Sequence, residues 1–122
     1  MVKLLIVEDD LLLNEAYRRK FGSIYDLRIE VNGVDGVKAA IAWEPDVIVL
    51  DLFLPGKING LDVLKAVRQE KKLQKTPIMV VTNLPDAVDR VMSLGATKCW
   101  MKTDVDLNSI AEDLEELIEK KI

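Results

Sequence analysis

Short apolar runs alternate along the chain with segments whose apolar residues recur every three or four positions. The runs predict five β-strands, and the segments between them predict five α-helices. We place the strands at about residues 3–7, 26–31, 46–50, 77–81 and 97–101, and the helices at about 11–21, 34–43, 60–70, 86–94 and 106–120. Five strand–helix units in succession predict an open, doubly wound α/β sheet.

The apolar content of the strand candidates indicates how the strands pair. Three of the five are almost wholly apolar, as at residues 47–50. Such strands suit a parallel sheet that helices cover on both faces, whereas half-exposed antiparallel strands alternate apolar with polar residues. The second candidate does alternate, because Arg28 and Glu30 stand between its apolar positions. We therefore expect it at an edge of the sheet.

Helix signals support the two terminal helices. Asp10 can cap the helix at 11–21, and Asp104 or Asp106 can cap the helix at 106–120. The latter is amphipathic, with apolar residues at spacings of three and four. Its predicted polar face consists of Glu112, Asp113, Glu115, Glu116 and Glu119.

The size and composition of the chain predict a single globular domain over residues 1–122. It has 122 residues, of which 49% are hydrophobic and 31% charged, and one core can serve a chain of this length. The net charge of -4 comes with scattered Lys and Arg, so nucleic acid is not expected as a direct partner. Neither a signal segment nor an apolar run of about 18 residues is present. We expect no membrane contact and a cytoplasmic location.

Histidine is absent and Cys99 is the only cysteine. This excludes an intramolecular disulfide, Cys/His metal sites, and Ser-His or Cys-His catalysis. Any chemistry must therefore use carboxylates, lysines and hydroxyls.

Reactive side chains follow four of the predicted strands. Each has an ordinary explanation when taken alone: a helix cap, a turn carboxylate, a strand-end hydroxyl or a solvated surface charge. In a parallel sheet, however, the C-terminal strand ends share one edge, where open α/β folds bind ligands. We therefore expect convergence of Glu8, Asp9 and Asp10 with Asp51, Thr82 and Lys102.

The acidic residues of this group imply a cation. Crowding Glu8, Asp9 and Asp51 without one is costly, because like charges raise one another's pKa. Oxygen ligands without His or Cys favour a hard ion, and a partial protein shell favours Mg²⁺ over Ca²⁺. A carboxylate beside Mg²⁺ can attack a phosphoryl group and form an aspartyl phosphate, with an ammonium and a hydroxyl stabilising the phosphoryl oxygens.

The chain resembles a known family, the response-regulator receiver domain of two-component signalling, over nearly its whole length. "LLIVEDD" is similar to its acidic-pair motif, "VIVLDLFLP" to its phospho-acceptor motif and "NGLDVL" to the start of its third helix. "IMVVTN" is similar to its hydroxyl-bearing strand, and "LGATKCWMK" to the approach to its lysine. The resemblance implies a flavodoxin-like fold, a single (βα)5 domain with strand order 2-1-3-4-5.

The resemblance also implies roles for the residues at the strand ends. Asp51 would accept a phosphoryl group from a phosphohistidine on a histidine kinase or a histidine phosphotransfer protein. Thr82 and Lys102 would contact the phosphoryl oxygens. The implied Mg²⁺ ligands are Glu8, Asp9, Asp51 and the backbone carbonyl of Phe53. A downstream protein target or output domain would read the change on the last two helices and strand, where a homodimer could also form.

Three positions depart from the family pattern. Thr103 follows Lys102 where the family usually has a proline with a cis bond, and without proline cis costs about 2.5–4 kcal/mol more than trans. Cys99 stands where an aromatic switch residue is usual; its neighbour Trp100 should point to the other face of the strand and serve in packing. The segment "LPGKING", residues 54–60, is one residue longer than the common form.

Other functions compete with this one. In a flavin-binding module, the turn after the first strand should present hydroxyl groups and backbone amides that bind a phosphate. Here that turn has the sequence "EDD", whose negative charge repels a phosphate. An aspartyl-phosphate phosphatase commonly has a second Asp where Phe53 stands. An inactive receiver that serves only as an interaction module is favoured by Thr103 and Cys99. If the receiver is active, the apolar residues Phe53 and Leu84 should flank the phosphoryl group and slow its attack by water.

Overall fold

Five parallel strands form the centre of the computed structural model, which describes residues 1–104 and 106–121. The strands are β1 (Lys3–Val7), β2 (Asp26–Glu30), β3 (Val47–Asp51), β4 (Ile78–Thr82) and β5 (Lys98–Met101). The helices are α1 (Leu11–Phe21), α2 (Gly33–Trp43), α3 (Gly60–Gln69), α4 (Val88–Ser93) and α5 (Leu107–Lys121). Single 3-10 turns lie at Lys71–Leu73, Pro85–Ala87 and Lys102–Asp104.

The strands pair in the order β2-β1-β3-β4-β5, and every neighbouring pair is parallel. This confirms the fold class and the strand order that the resemblance implied. The alternating strand β2 lies at an edge, where Asp26 and Arg28 are exposed, as its pattern predicted.

The core has two layers, one on each face of the sheet. Successive strand residues point to opposite faces, so Leu5 and Val7 pack on one side and Leu4 and Ile6 on the other. Helices α2, α3 and α4 cover the first side, and α1 and α5 cover the second. Each face of β3 and β4 is therefore buried, which explains their uninterrupted apolar sequences.

Two predicted boundaries differ in ways that matter for the strand ends. Strands β3 and β4 each begin and end one residue later than predicted, so Asp51 and Thr82 are the last residues of their strands. The single helix predicted at 86–94 is instead a 3-10 turn followed by the six-residue helix α4. Only Val91 is buried in α4, and helices depend mainly on packing of an apolar face for their stability.

Side-chain caps begin both terminal helices. The Asp10 carboxylate accepts hydrogen bonds from the backbone N–H groups of Leu12 and Leu13 at 3.0 and 3.1 Å. At α5 the carboxylate of Asp106, one of the two predicted candidates, accepts from Asn108 N at 3.1 Å. None of the described helices has the length and apolar character that spanning a membrane requires.

Candidate functional site at the carboxyl edge of the sheet

A cleft of about 550 Å³ opens at the edge where β1, β3, β4 and β5 end. Because the strands are parallel, the residues that end them lie side by side. The cleft is lined by Asp9, Asp10, Asp51, Phe53, Thr82, Asn83, Leu84 and Lys102. Glu8 joins this group through its contacts with Asp10 and Lys102, so the structure brings together all the residues that the sequence placed at strand ends.

Three carboxylates form an acidic cluster in the cleft. One oxygen atom from each of Glu8, Asp9 and Asp51 lies within 4.8 Å of the other two. Glu8 and Asp51 are only 2% and 3% exposed, whereas Asp9 is open to solvent. The cluster is thus closed beneath by two buried acids and open on the side of Asp9.

Backbone groups hold the two buried carboxylates in place. The Asp51 Oδ1 atom accepts from Phe53 N at 3.2 Å, and Glu8 Oε2 accepts from Asp10 N at 3.0 Å. Helix α3 also packs close to this strand end: a Cβ at Gly60 would lie 2.4 Å from the carbonyl oxygen of Asp51. Glycine is therefore required at that position for the helix to begin directly behind the carboxylate.

Lys102 pairs with both buried acids. Its Nζ lies 3.0 Å from Glu8 Oε1 and 3.2 Å from Asp51 Oδ2. Burial, together with the charge of Asp51, raises the pKa of Glu8 to about 7. Burial would lower the pKa of Lys102, but its hydrogen bonds to Glu8 and Asp51 and their charges outweigh burial and raise it. The ammonium is therefore held in its charged form beside the carboxylates.

Thr82 contributes a hydroxyl at the end of β4. Its Oγ1 accepts a hydrogen bond from Leu84 N at 3.1 Å. A hydroxyl that accepts in this way still has its own proton to donate. Thr82 and Lys102 therefore supply a neutral and a charged donor to the same cleft as Asp51.

The carboxylate oxygens of the acidic cluster are suitable ligands for Mg²⁺. Three carboxylates against one ammonium leave an excess of acidic groups, and hard divalent ions prefer such oxygen ligands. The open side at Asp9 leaves room for the waters that Mg²⁺ usually retains. The residues that could hold the ion are Glu8, Asp9 and Asp51, with Phe53 lining the same cleft.

Strand β5 has the side-chain arrangement that the sequence predicted at residues 99 and 100. Cys99 packs against the core on the α2–α4 side, and Trp100 packs against the core on the α1 and α5 side. The prediction that Trp100 serves in packing is thus confirmed. No peptide bond among the described residues is cis, and the bond between Lys102 and Thr103 is trans.

Asp113 and Asn14 are buried polar side chains that escaped prediction from the sequence. Asp113 was assigned to the exposed face of α5, which is wrong: it is 9% exposed and accepts a hydrogen bond from Trp100 Nε1 at 2.6 Å. Asn14 is buried in α1 and donates to the backbone carbonyl of Glu8 at 2.7 Å. Asn14 stands among exposed and apolar residues without a distinguishing motif, so no sequence signal marked it.

Known proteins are similar to this chain in sequence. The sequence model of the family described as response regulator receiver domain matches residues 4–115. Response regulator ArlR of Staphylococcus saprophyticus is 39% identical over 95 residues, which are 77% of this chain and 41% of the relative. ArlR of Staphylococcus aureus is 37% identical over 95 residues, 77% of this chain and 42% of the relative. The chain spans about two fifths of the length of these relatives.

Solved structures share the fold. The receiver domain of the Francisella response regulator 1452 superposes with a TM-score of 0.90 over 100% of both chains, at 19% identity. The receiver domain of the sensor histidine kinase PA1611 from Pseudomonas aeruginosa has a TM-score of 0.86 over 98% of this chain and 99% of its own, at 20% identity. That structure contains a magnesium ion in its active-site cleft.

Proposed function

The chain belongs to the response regulator receiver domain family of two-component systems, and on that premise we propose that it is a phosphoryl acceptor. Asp51 accepts the group in the presence of Mg²⁺ from a phosphohistidine on a histidine kinase or histidine phosphotransfer protein. The phosphorylated domain then acts on a downstream protein target or output domain. The observation that carries the proposal is the meeting of Glu8, Asp9, Asp51 and Lys102 in one cleft.

The reaction is a displacement at phosphorus. An Asp51 carboxylate oxygen forms the new O–P bond while the P–N bond of the donor phosphohistidine breaks. The electron pair of that bond remains on the imidazole nitrogen, and the ring takes up a proton and leaves neutral. With acetyl phosphate as donor, a P–O bond breaks and acetate leaves.

The residues around Asp51 have distinct parts in this step. Charge in phosphoryl transfer is spread over the equatorial oxygens, so catalysis consists mainly of positioning and electrostatic stabilisation. Lys102 donates to these oxygens as a charged group and Thr82 as a hydroxyl. Bound Mg²⁺ would neutralise part of the phosphoryl charge, and Glu8, Asp9 and Asp51 would hold it with the Phe53 carbonyl.

The test is intact-mass spectrometry after incubation with acetyl phosphate, with and without Mg²⁺. We expect one phosphoryl group to be added only when Mg²⁺ is present, and peptide mapping to locate it on Asp51. A folded chain that takes up no phosphoryl group, and does not bind beryllofluoride, would support the interaction-module alternative instead. Rapid turnover of p-nitrophenyl phosphate would support the phosphatase alternative.

Several finer predictions from the sequence belong to this proposal. They are a receiver domain spanning residues 1–122, a cytoplasmic location and no direct contact with nucleic acid. A partner, or a second copy of the chain, would bind the surface formed by α4, β5 and α5. These statements stay predictions.

The lifetime of the phosphoryl group can be predicted from the apolar residues beside it. Phe53 and Leu84 line the cleft, and their side chains are largely exposed at its mouth. We expect them to restrict the approach of water to phosphorylated Asp51, because apolar side chains at the mouth of the cleft occupy space beside it and offer water no hydrogen-bond partner. Loss of the phosphoryl group in Mg²⁺ should therefore be slow, and faster by severalfold in Leu84→Asn and Phe53→Asn.

The measurement is the decay of the phosphorylated mass after removal of the donor. Met92→Asn serves as the matched control, because Met92 is an exposed apolar residue of α4 that does not line the cleft. A half-life of seconds that is the same in the wild type and in both cleft variants would contradict the prediction.

A further inference from the structure

A buried carboxylate lies outside the cleft, and the reaction described above does not use it. Asp113 of α5 is 9% exposed. Its Oδ1 contacts Lys98 Nζ at 2.8 Å and its Oδ2 accepts from Trp100 Nε1 at 2.6 Å. The Lys98 ammonium also lies 5.8 Å from the centre of the Trp100 ring. We call these three residues the β5–α5 clamp.

Stability alone does not account for a charge at this position. Asp113 is next to Leu114 in a helix whose buried face is otherwise apolar. Burying a carboxylate is costly, and the ion pair with Lys98, whose side chain is 41% exposed, stabilises the protein only weakly. The clamp gives strand β5 a defined position against helix α5, because two hydrogen bonds fix the side chains of Lys98 and Trp100 on Asp113. An apolar residue at position 113 would not do this.

The position of β5 matters because Lys102 follows it directly. Trp100 stands two residues before Lys102, which begins the 3-10 turn after the strand. Lys102 reaches from β5 past β4 to Asp51 on β3, a distance of two strand spacings, about 10 Å. A lysine that reaches this far has little freedom to compensate for movement of its own backbone.

That backbone lies at an edge of the sheet, where it has one neighbouring strand and packs against helices on both faces. Strand β5 is an edge strand that pairs only with β4. All four of its residues are only partly buried, and the 3-10 turn at Lys102–Asp104 has no buried residue. Among the described residues, Asp113 is the buried charged group that joins this strand to a helix.

We propose that Asp113 is a positioning residue for Lys102. Through Lys98 and Trp100 it fixes β5 on α5, and so holds the Lys102 ammonium between Glu8 and Asp51. The part of this inference that concerns phosphorylation rests on the proposed function. The part that concerns the position of Lys102 in the resting protein does not.

The first test compares rates of phosphorylation. Asp113→Leu replaces both acceptor oxygens by an apolar side chain of similar size, whereas Asp113→Asn keeps one acceptor oxygen for Trp100. We expect the rate constant with acetyl phosphate to fall by roughly tenfold to a hundredfold in Asp113→Leu, because misplacing a catalytic group by about 1 Å has an effect of this size. The rate constants of Asp113→Asn and Trp100→Phe should lie between those of Asp113→Leu and the wild type.

Two readouts separate positioning from a general loss of structure. The affinity for Mg²⁺, measured by calorimetry, should be no lower in the Asp113 variants than in the wild type, because the acidic cluster is intact. The control Glu112→Gln removes a charge from an exposed position of the same helix and should leave both the rate and the affinity unchanged. An Asp113→Leu protein that melts at lower temperature but reacts at the wild-type rate when folded overturns the proposal.

The second test does not depend on phosphorylation. Unfolding equilibrium constants are measured by urea denaturation for the wild type, Asp113→Leu, Lys102→Met and the double variant. If the two sites are independent, the effect of the double variant on the equilibrium constant should equal the product of the two single effects to within about twofold. If they are coupled, it should deviate from that product by about threefold or more. Multiplicative effects overturn the proposal. If the wild type accepts no phosphoryl group, the proposed function fails, and this cycle alone decides whether Asp113 positions Lys102.

Discussion

Replacing Asp51 by asparagine is expected to abolish phosphoryl transfer to the chain. The carboxylate is buried in the cleft, where its Oδ2 contacts Lys102 Nζ at 3.2 Å and its Oδ1 accepts from Phe53 N. An amide has the same shape but lacks the anionic oxygen that attacks phosphorus. The amide would also supply a neutral ligand to the metal in place of a charged one. The added phosphoryl mass should therefore be absent with acetyl phosphate and Mg²⁺, whatever the incubation time.

The same substitution should weaken Mg²⁺ binding without unfolding the protein. Removing one of the three carboxylates reduces the negative charge of the acidic cluster, and this charge largely determines the affinity of the cluster for a hard cation. The loss of repulsion between residue 51 and Glu8 offsets the loss of the ion pair with Lys102, so thermal unfolding should change little. Calorimetry with Mg²⁺ and circular dichroism measure the two effects.

The matched control for this experiment is Asp89→Asn. Asp89 is an exposed carboxylate of α4, so its replacement changes the net charge by the same amount at a distance from the cleft. This variant should take up one phosphoryl group at the wild-type rate. Phosphoryl uptake by Asp51→Asn that equals the wild type would show that another group, such as Asp9 or Asp10, is the acceptor.

The sequence predicted the fold because its apolar runs are long enough to be covered on both faces. It predicted the site because a parallel sheet brings the ends of its strands to one edge, whichever loops connect them. Glu8, Asp51 and Lys102 are far apart in sequence, and topology alone is what makes them neighbours. The strand order itself came from resemblance, since the apolar pattern of β2 indicated only that it lies at an edge.

Features that depend on tertiary packing were beyond the sequence pattern. Helix α4 is short because only Val91 is buried there, although its sequence has the composition of a longer helix. Asp113 was assigned to the polar face because four glutamates share its helix, and its hydrogen bond to Trp100 exists only once α5 lies on β5. A helical pattern of apolar residues does not reveal the polar partner on a neighbouring strand that allows a charged side chain to be buried.

Replacing Lys102 by methionine should separate metal binding from phosphoryl transfer. Lys102 Nζ lies 3.0 Å from Glu8 Oε1 and 3.2 Å from Asp51 Oδ2, so it competes with a metal for carboxylate charge. Without the ammonium, Mg²⁺ should bind at least as tightly as in the wild type. The rate constant for phosphorylation should nevertheless fall by roughly 10²- to 10³-fold, as when one donor to a developing charge is removed.

Stopped-flow measurement of phosphorylation at saturating Mg²⁺ and calorimetry of Mg²⁺ binding decide between the two effects. Lys65→Met, on the exposed face of α3, is the matched control and should behave as the wild type. Lys102→Arg should recover only part of the rate, because a planar guanidinium does not reproduce the point charge of an ammonium. Equal losses of Mg²⁺ affinity and of rate in Lys102→Met would mean that the lysine acts by holding the acidic cluster together. A specific loss of rate would instead mean that the cluster holds the metal by itself and that Lys102 acts on the phosphoryl group.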